Sequence, residues 1–291
     1  MIAVVGSVNR DIVVVVERHP RPGETVLGGD HLAVDGGKGA NQAVAAARLG
    51  ADVAFIGRVG GDAVGDELRS GLSAEGVDVS HLASDPDTPS GLALITVDQD
   101  GENAIVVSQG ANANVGAADI ETAAGVLETA DVVLLQLEIP LEAVTAATAR
   151  AGDSIVVLNP APARALTPAL LERVNVLVPN RHELAAFTGS TDPASAVDLP
   201  VPFVVVTMGG EGAAVVGEGK VVRVPSVPVV ALDTTGAGDA FCGALATFLA
   251  SGDDIYTAVD AAVGAGALAT TATGARTAMP ERAELRALLG W

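Results

Sequence analysis

The chain is organised around the stretch Asp233-Thr234-Thr235-Gly236-Ala237-Gly238-Asp239-Ala240-Phe241. The valine- and proline-rich run 221–232 before it predicts a strand that enters a turn, and the apolar run 240–250 predicts a helix. The small residues Gly236, Ala237 and Gly238 then lie at a helix N-terminus, where the backbone can approach a ligand and free N–H groups favour an anion. Asp239 lies in the first turn, where a carboxylate beside a phosphate can accept a proton from an attacking hydroxyl. An ordinary glycine-rich turn before a helix is the alternative interpretation of this stretch alone.

The composition indicates a folded protein of one large domain or two small ones. Of the 291 residues, 49% are hydrophobic and 18% are charged, which argues against disorder. Aromatic residues make up only 2%, so we expect a core of valine, alanine and leucine. No apolar stretch predicts a membrane span, and the N-terminus begins as a strand without signal-peptide features. The single cysteine, Cys242, can form no internal disulfide and is expected to be a core residue rather than a nucleophile, which fits a cytoplasmic protein.

The charge of the chain excludes several classes of partner. The formal net charge is −20, and the only lysines are Lys38 and Lys220. Such a surface repels nucleic acid and anionic membranes, so we expect neither as a partner, and any phosphate site must be organised locally. Two explanations fit the excess of acid: adaptation to high salt, in which screening relieves self-repulsion, or a GC-rich genome that favours arginine over lysine.

Predicted strands and helices alternate along the second half of the chain. The strands are predicted at 132–135, 155–158, 176–178 and 203–207, and the helices at 117–129, 141–151, 168–174 and 183–188. Together with strands at 2–6 and 51–56, this order predicts an α/β fold with a mainly parallel sheet covered by helices on both faces. Residues about 12–33 and 89–110 contain further short strands and predict a small separate β-layer within a single domain, 1–291.

Polar motifs follow several of these strands, at the edge where open α/β folds bind ligands. Asn9 and Asp11 come after the first strand and share a face of extended backbone, so an amide and a carboxylate could grip the hydroxyls of a polyol. An ordinary turn is the alternative there. A second glycine-rich loop, 35–42, precedes a helix but is neither a Walker A loop, since Gly39 follows Lys38, nor G-x-G-x-x-G, since Gln42 occupies the third glycine position.

Taken together, these motifs resemble the ribokinase (PfkB-type) family of carbohydrate kinases over essentially the whole chain. The likeness is carried by the segments 6–11, 36–42, 136–138, 159–164, Asn180-x-x-Glu183 and 233–239, which occur in the family's order. The resemblance implies a ribokinase-like three-layer α/β/α domain with the small β-layer as a lid. It also implies ATP-dependent phosphorylation of a sugar, with D-ribose as the leading acceptor, and a homodimer formed through the lid.

The resemblance further implies a role for each matching residue. Asp239 would deprotonate the sugar hydroxyl, and the amides of Gly236, Ala237 and Gly238 would stabilise the transferred phosphoryl group. The sugar would be held by Asn9, Asp11, Gly37, Lys38, Gly39, Asn41, Glu138 and Asp239. ATP would be bound by Asn180, Thr207, Met208, Gly209, Gly210, Gly212, Gly238 and Val263. Mg²⁺ would be organised through water by Asn180 and Glu183. A monovalent cation, usually K⁺, would be bound by Asp233, Thr235, Ala269, Ala272, Gly274 and Ala278.

Two positions depart from the family pattern. Val263 stands where an asparagine or histidine usually lies near the adenine, and Ala278 replaces a residue whose hydroxyl often helps bind the cation. The purine contact and the effect of K⁺ are therefore open. Other acceptors also remain open: deoxyribose, fructose, a keto-deoxy sugar acid or a nucleoside. A protein of another class, a sugar- or nucleotide-binding regulator without activity, is the second alternative, and the presence of Asp239 argues against it.

Overall fold

The computed structural model describes all 291 residues, which form thirteen strands and ten α-helices. The strands are β1 (Ile2–Val5), β2 (Asn9–Val16), β3 (Gly28–Gly36), β4 (Val53–Gly60), β5 (Leu82–Asp85), β6 (Gly91–Val97), β7 (Asn103–Ser108), β8 (Val132–Leu135), β9 (Ile155–Leu158), β10 (Val176–Leu177), β11 (Phe203–Thr207), β12 (Ala213–Gly217) and β13 (Lys220–Val224). The helices are α1 (Lys38–Arg48), α2 (Ala63–Ala74), α3 (Ala117–Thr122), α4 (Ala124–Thr129), α5 (Leu141–Arg150), α6 (Pro168–Leu171), α7 (Arg181–Thr188), α8 (Ala237–Ala250), α9 (Ile255–Ala269) and α10 (Arg282–Leu289).

Nine strands form the main sheet in the order β13-β12-β11-β10-β9-β8-β1-β4-β5. Every neighbouring pair is parallel except β11-β12 and β12-β13, which are antiparallel at one edge. Val5 at the end of β1 pairs with Ile56 of β4 and with Leu135 of β8, and Leu135 pairs in turn with Leu158 of β9. Because β1, β8 and β9 end in register, the segments that follow these three strands meet at one edge of the sheet.

The main sheet is covered on both faces, as the sequence predicts. Ile2 and Val4 of β1 lie in one apolar core, together with residues of α1, α8 and α9. Ala3 and Val5 lie in a second core, together with residues of α5. This alternation along a fully buried strand places a helical layer on each side of the sheet, which confirms the three-layer α/β/α architecture. None of the helices combines the length and the apolar character that a membrane crossing requires.

A separate sheet of four strands, in the order β3-β2-β6-β7, contains the regions predicted to form the small β-layer. Strand β2 pairs in parallel with β6 and in antiparallel with β3, so Asn9 lies opposite both Gly91 and Gly36. The register places Asp11 and Val13 on one face, since side chains alternate along a strand. This small sheet therefore begins directly beside the edge where β1 ends.

Some element boundaries differ from the predictions. The strand predicted over 221–232 ends at Val224, because Pro225 and Pro228 lack the N–H groups that a ladder needs. The helix predicted over 117–129 is interrupted at Ala123, whose φ of −95° and ψ of 7° separate α3 from α4. Within the region 12–33, which was predicted to contain short strands, residues 25–27 form no strand, and β3 begins only at Gly28.

Candidate active site

Helix α8 begins where the sequence predicts an anion-binding turn. Gly236 precedes it with a φ of 77°, and no side chain caps the helix. A Cβ atom at Gly236 would lie 2.8 Å from the Cα of Ala275, so only glycine fits both the conformation and the space. Gly236, Ala237 and Gly238 all line a cavity of about 770 Å³. The uncapped first turn of α8 can therefore offer its amides to an anion in that cavity.

Asp239 is held at this turn by two side-chain amides from α1. The Nδ2 of Asn41 donates to Oδ2 at 3.0 Å, and the Nε2 of Gln42 donates to Oδ1 at 3.0 Å. Asp239, Asn41 and Gln42 are all buried, yet Asp239 still lines the cavity. The carboxylate is thus fixed at both oxygens while it faces the space that a substrate would enter. Gln42 was not among the predicted site residues, and its position after Asn41 in a glycine-rich loop was its only sequence signal.

Glu138, one of the residues predicted to hold the sugar, follows β8 and lies close to the loop before α1. Its Oε2 accepts a hydrogen bond from Ser7 Oγ at 2.5 Å and one from the backbone N–H of Lys38 at 3.0 Å. The negative charge of Asp239, and to a smaller degree that of Glu138, raises the pKa of the half-buried Lys38 ammonium against the opposing effect of burial. The structure therefore brings Lys38, Glu138 and Asp239, three of the residues predicted to hold the sugar, into one electrostatic cluster. Ser7 was not predicted as a site residue.

Asp11 and Asn9 extend this cluster from the small sheet. Burial first, and then the charges of Glu138, Asp239 and Asp35, raise the pKa of the Asp11 carboxyl to about 7 against the opposing charge of Arg276. Its Oδ1 is buried without a hydrogen-bond partner. The neighbouring Asn9 accepts a hydrogen bond of 2.7 Å from Asn112 Nδ2.

The glycines of the second loop allow the chain segments of this cluster to approach one another closely. Gly36 leaves room for Asp11, since a Cβ there would lie 2.1 Å from the carboxylate. Gly37 has a φ of 90°, and Gly39 packs against the backbone of Gly6 and Ser7. These contacts bring the loop before α1 against the segment that follows β1, so the predicted sugar residues lie together.

Most of the predicted nucleotide residues line the same cavity as α8. These are Asn180, Thr207, Gly209, Gly210, Gly212, Gly238 and Val263. Met208 is the exception: its side chain is buried in the apolar core behind β11, so it does not line the cavity. The alternation of side chains at the end of the strand explains this correction. The sequence did not identify the wall formed by 226–229, Phe241 and Gly266.

Asn180 and Glu183 both line the cavity and together form the capping box at the N-terminus of α7. Asn180 Oδ1 accepts from the Glu183 N–H at 2.8 Å, and Glu183 Oε2 accepts from the Asn180 N–H at 2.8 Å. Burial raises the pKa of Glu183, while the hydrogen bond from Asn180 and the charge of Lys38 oppose the rise. No group of three or more histidine, cysteine, aspartate or glutamate side chains is arranged so that it could hold a metal ion. Mg²⁺ usually keeps several of its waters when it binds to a protein. Asn180 and Glu183 could therefore contact the ion through its waters, whereas the two residues alone do not form an all-protein coordination shell.

Three of the predicted cation residues, Asp233, Thr235 and Gly274, come together just before the first turn of α8. Asp233 Oδ1 accepts from the N–H and hydroxyl of Thr235 at 2.9 and 2.6 Å, and Oδ2 accepts from the Gly274 N–H at 2.8 Å. Burial would raise the pKa of Asp233, but these hydrogen bonds outweigh it and lower the pKa. The backbone carbonyls of Thr235, Ala269, Ala272 and Gly274 accept no hydrogen bond from the rest of the chain. Free carbonyls beside a carboxylate form a donor set that fits a monovalent cation, whereas Ala278 offers only a buried methyl group.

Known proteins match this chain over nearly its full length. The sequence profile described as pfkB family carbohydrate kinase matches residues 1–282. Ribokinase from Bacillus subtilis (strain 168) is 41% identical over 290 residues, which cover 99% of each chain. Deoxyribokinase from Salmonella typhi is 35% identical over 291 residues, which cover 96% of this chain and 95% of that one. Arabidopsis thaliana ribokinase, solved in complex with ribose and ATP, superposes with a TM-score of 0.93 at 32% identity and covers 100% of this chain and 98% of its own. With these matches and the site described above, the chain belongs to the pfkB family of carbohydrate kinases.

Proposed function

We propose that this protein is an ATP-dependent sugar kinase that converts D-ribose and ATP into D-ribose 5-phosphate and ADP. One observation carries the proposal. Asp239 stands at an uncapped helix N-terminus, contacts the cluster of Asn41, Lys38 and Glu138, and lines the large cavity together with Lys38. A base placed between a polyol-binding cluster and an anion-binding turn has the position that phosphoryl transfer to a hydroxyl requires.

In this proposal the sugar lies against Asn9, Asp11, Lys38, Asn41 and Glu138. Asp239 accepts the proton of the primary hydroxyl as the oxygen attacks the γ-phosphorus. A new O–P bond forms while the bond from phosphorus to the leaving oxygen of ADP breaks. The amides of Gly236, Ala237 and Gly238 stabilise the charge on the transferred group, because they are oriented before the reaction and need no rearrangement. The cavity wall formed by Thr207, Gly209, Gly210 and Gly212 receives the nucleotide.

Two metal ions complete the proposal. Asn180 and Glu183 would hold Mg²⁺ through water, and the ion would neutralise charge between the phosphates when bound. Glu183 Oε1, which makes no hydrogen bond within the chain, is the oxygen available for this purpose. Asp233 and the free carbonyls of Thr235, Ala269, Ala272 and Gly274 would hold K⁺. Since Gly236 packs on Ala275, a cation bound there would support the loop that carries the anion-binding amides.

The small sheet is proposed to act as a lid over the sugar and as the contact of a homodimer. Asp11 is on this sheet, so any movement of the sheet would move a sugar contact. Leu32, Ile105 and Val107 are exposed and share with Asp11 one face of the sheet. An apolar surface of this kind is uncommon on a monomer, and a second copy of the chain is the partner that we propose for it.

Turnover of ATP against a panel of acceptors tests the proposal. The panel contains ribose, deoxyribose, fructose, a keto-deoxy sugar acid and adenosine, with Mg²⁺ and KCl present. We expect ribose to have the highest kcat/KM. Deoxyribose is the second candidate, because a deoxyribokinase is 35% identical over nearly the full chain. A higher kcat/KM with any other acceptor would refute the ribose assignment, and a folded protein without turnover on the whole panel would support the inactive regulator instead.

A further inference from the structure

We propose that Gln42 is a positioning residue whose side-chain amide holds the Asp239 carboxylate in line for proton transfer. The inference rests on the proposed function, in which Asp239 is the base. Gln42 lies in α1 with 0% of its surface exposed, so it cannot touch a substrate. It can influence the reaction only through the groups that it contacts.

Both polar atoms of the Gln42 side chain have partners. Its Nε2 donates to Asp239 Oδ1 at 3.0 Å and to Asn159 Oδ1 at 3.2 Å. Its Oε1 accepts from the Nε2 of Gln136 at 2.6 Å. Buried polar groups that are fully paired hold a single arrangement, because every alternative leaves a donor or acceptor without a partner. Gln42 thus connects α1 to the first turn of α8 and to the ends of β8 and β9.

Two independent acceptors determine the orientation of the Gln42 amide. The Nδ2 of Asn159 donates to the carbonyl of Val178 at 2.9 Å, so the Oδ1 of Asn159 must face Gln42. An ionised Asp239 can only accept. Both neighbours therefore require the NH₂ group of Gln42, and its Oε1 is left for Gln136. Flipping the Gln42 amide would place oxygen against oxygen at two contacts at once.

The side-chain amides of Asn41 and Gln42, which both donate to Asp239, have different roles in the proposed reaction. Asn41 is itself a proposed sugar contact, and its Oδ1 is buried without a partner in the chain. When a sugar hydroxyl binds there, the Asn41 amide is shared between the substrate and the base. Gln42 contacts no substrate, so its hydrogen bond keeps Oδ1 of Asp239 in place throughout the catalytic cycle. Asp239 can then take the hydroxyl proton as the O–H bond breaks and the O–P bond forms.

Replacement of Gln42 by methionine tests this inference. In Gln42→Met we expect kcat to fall about tenfold to a hundredfold, the range typical when a hydrogen-bond partner that orients a functional group is removed. The KM for ATP should stay within about twofold, and the solvent deuterium isotope effect on kcat should rise, because proton transfer to a displaced base becomes slower. Thr247→Val is the matched control, since it removes a buried hydroxyl from the same helix α8 away from the site, and its kcat should not change. A wild-type kcat in folded Gln42→Met would overturn the inference.

A double-variant cycle separates this inference from the proposed function. If Gln42 acts through Asp239, then Gln42→Met should cause no further loss of residual activity in an Asp239→Asn background. Fully additive losses would refute the positioning role. If Asp239→Asn alone kept most of its activity, the assignment of Asp239 as the base would be refuted instead. Should Gln42→Met fail to fold, Gln42→Glu keeps the shape and the acceptor for Gln136 but places a carboxyl against Asp239, and wild-type kcat in that variant would also refute the inference.

Discussion

The guanidinium of Arg276 donates a hydrogen bond of 2.9 Å to the carboxylate of Asp35 and so ties the segment after α9 to the end of β3. A second hydrogen bond, of 3.3 Å, reaches the carbonyl of Gly36. Gly36 in turn packs against Asp11. One buried arginine therefore joins three parts of the site: the loop proposed to bind K⁺, the base of the small sheet, and a proposed sugar contact.

Removal of this arginine should destabilise the protein more than removal of an exposed one. In Arg276→Met, we expect a loss of about 2 kcal/mol in the free energy of unfolding, since hydrogen bonds of a charged, buried group are lost. Arg181→Met is the control, because Arg181 pairs with Glu211 at the surface, where solvent screening leaves such pairs with little effect on stability. Urea unfolding of both variants measures the difference. Equal losses in the two variants would contradict the structural role of Arg276.

Sugar affinity should depend on pH through Asp11. Its carboxyl has a pKa of about 7, raised by burial and then by the charges of Glu138, Asp239 and Asp35, and lowered by Arg276. The ionised form accepts hydroxyl hydrogen bonds best, so the KM for ribose should rise about tenfold as the pH falls from about 8 to 6. Asp11→Asn should raise the KM and flatten this dependence. A slope in Asp11→Asn equal to that of the wild type would assign the titration to another group.

The same raised pKa affects stability. Because the folded state binds the Asp11 proton more tightly than the unfolded state, the contribution of this group is fully present below the unfolded pKa of 3.8. It is lost as the pH rises through about 7. We therefore expect Asp11→Asn to gain stability relative to the wild type between pH about 4 and 8. Urea unfolding of both proteins across this range measures the change, and parallel pH profiles would count against the assignment.

The proposed base can be tested directly. Asp239→Asn should lower kcat by about a hundredfold to ten-thousandfold, the usual contribution of a positioned base. Sugar binding measured by calorimetry should remain within a few-fold of the wild type, since the asparagine keeps the size of the side chain. Turnover comparable to the wild type would show that another group removes the proton.

Close packing of α1 on α8 should be as important as the polar contacts. A Cβ at Gly243 would lie 2.6 Å from the Cβ of Ala45 and 2.7 Å from the carbonyl of Gln42. Gly243→Ala should therefore cost about 1–3 kcal/mol of stability and lower kcat by moving Gln42 away from Asp239. Gly125→Ala is the control, because a Cβ in that helix meets open space. It should leave kcat unchanged, and a similar loss of activity in both variants would argue against the packing explanation.

Salt should stabilise this protein if its acidic surface reflects adaptation. The net charge of −20 destabilises the compact state through self-repulsion, and dissolved ions screen it. We expect the melting temperature to rise steeply between low and molar KCl. A flat profile would instead favour the composition of the genome as the origin of the acidic residues.

Much of the fold could be predicted from local patterns. The run Ile2–Val5 has no polar residue and is buried on both faces. The alternation of strands and helices that follows it predicted a mainly parallel sheet covered by helices on both faces. The glycines around Asp239 indicated the uncapped turn because their backbone requirements are local. Boundaries were less predictable: prolines ended β13 early, and Ala123, a good helix former, gave no sign of the break between α3 and α4.

By itself the sequence determined which residue types stand at the ends of the strands, and hence the kind of chemistry that this edge can support. Only the tertiary structure decided which of them touch. Gln42 and Asp239 are 197 residues apart along the chain, and their contact depends on two helices meeting at Gly243. Likewise Arg276 meets Asp35 across 241 residues. Such contacts leave no local signal, because hydrogen-bond partners are set by the packing of whole elements, whereas strand, turn and helix preferences are set by neighbouring residues.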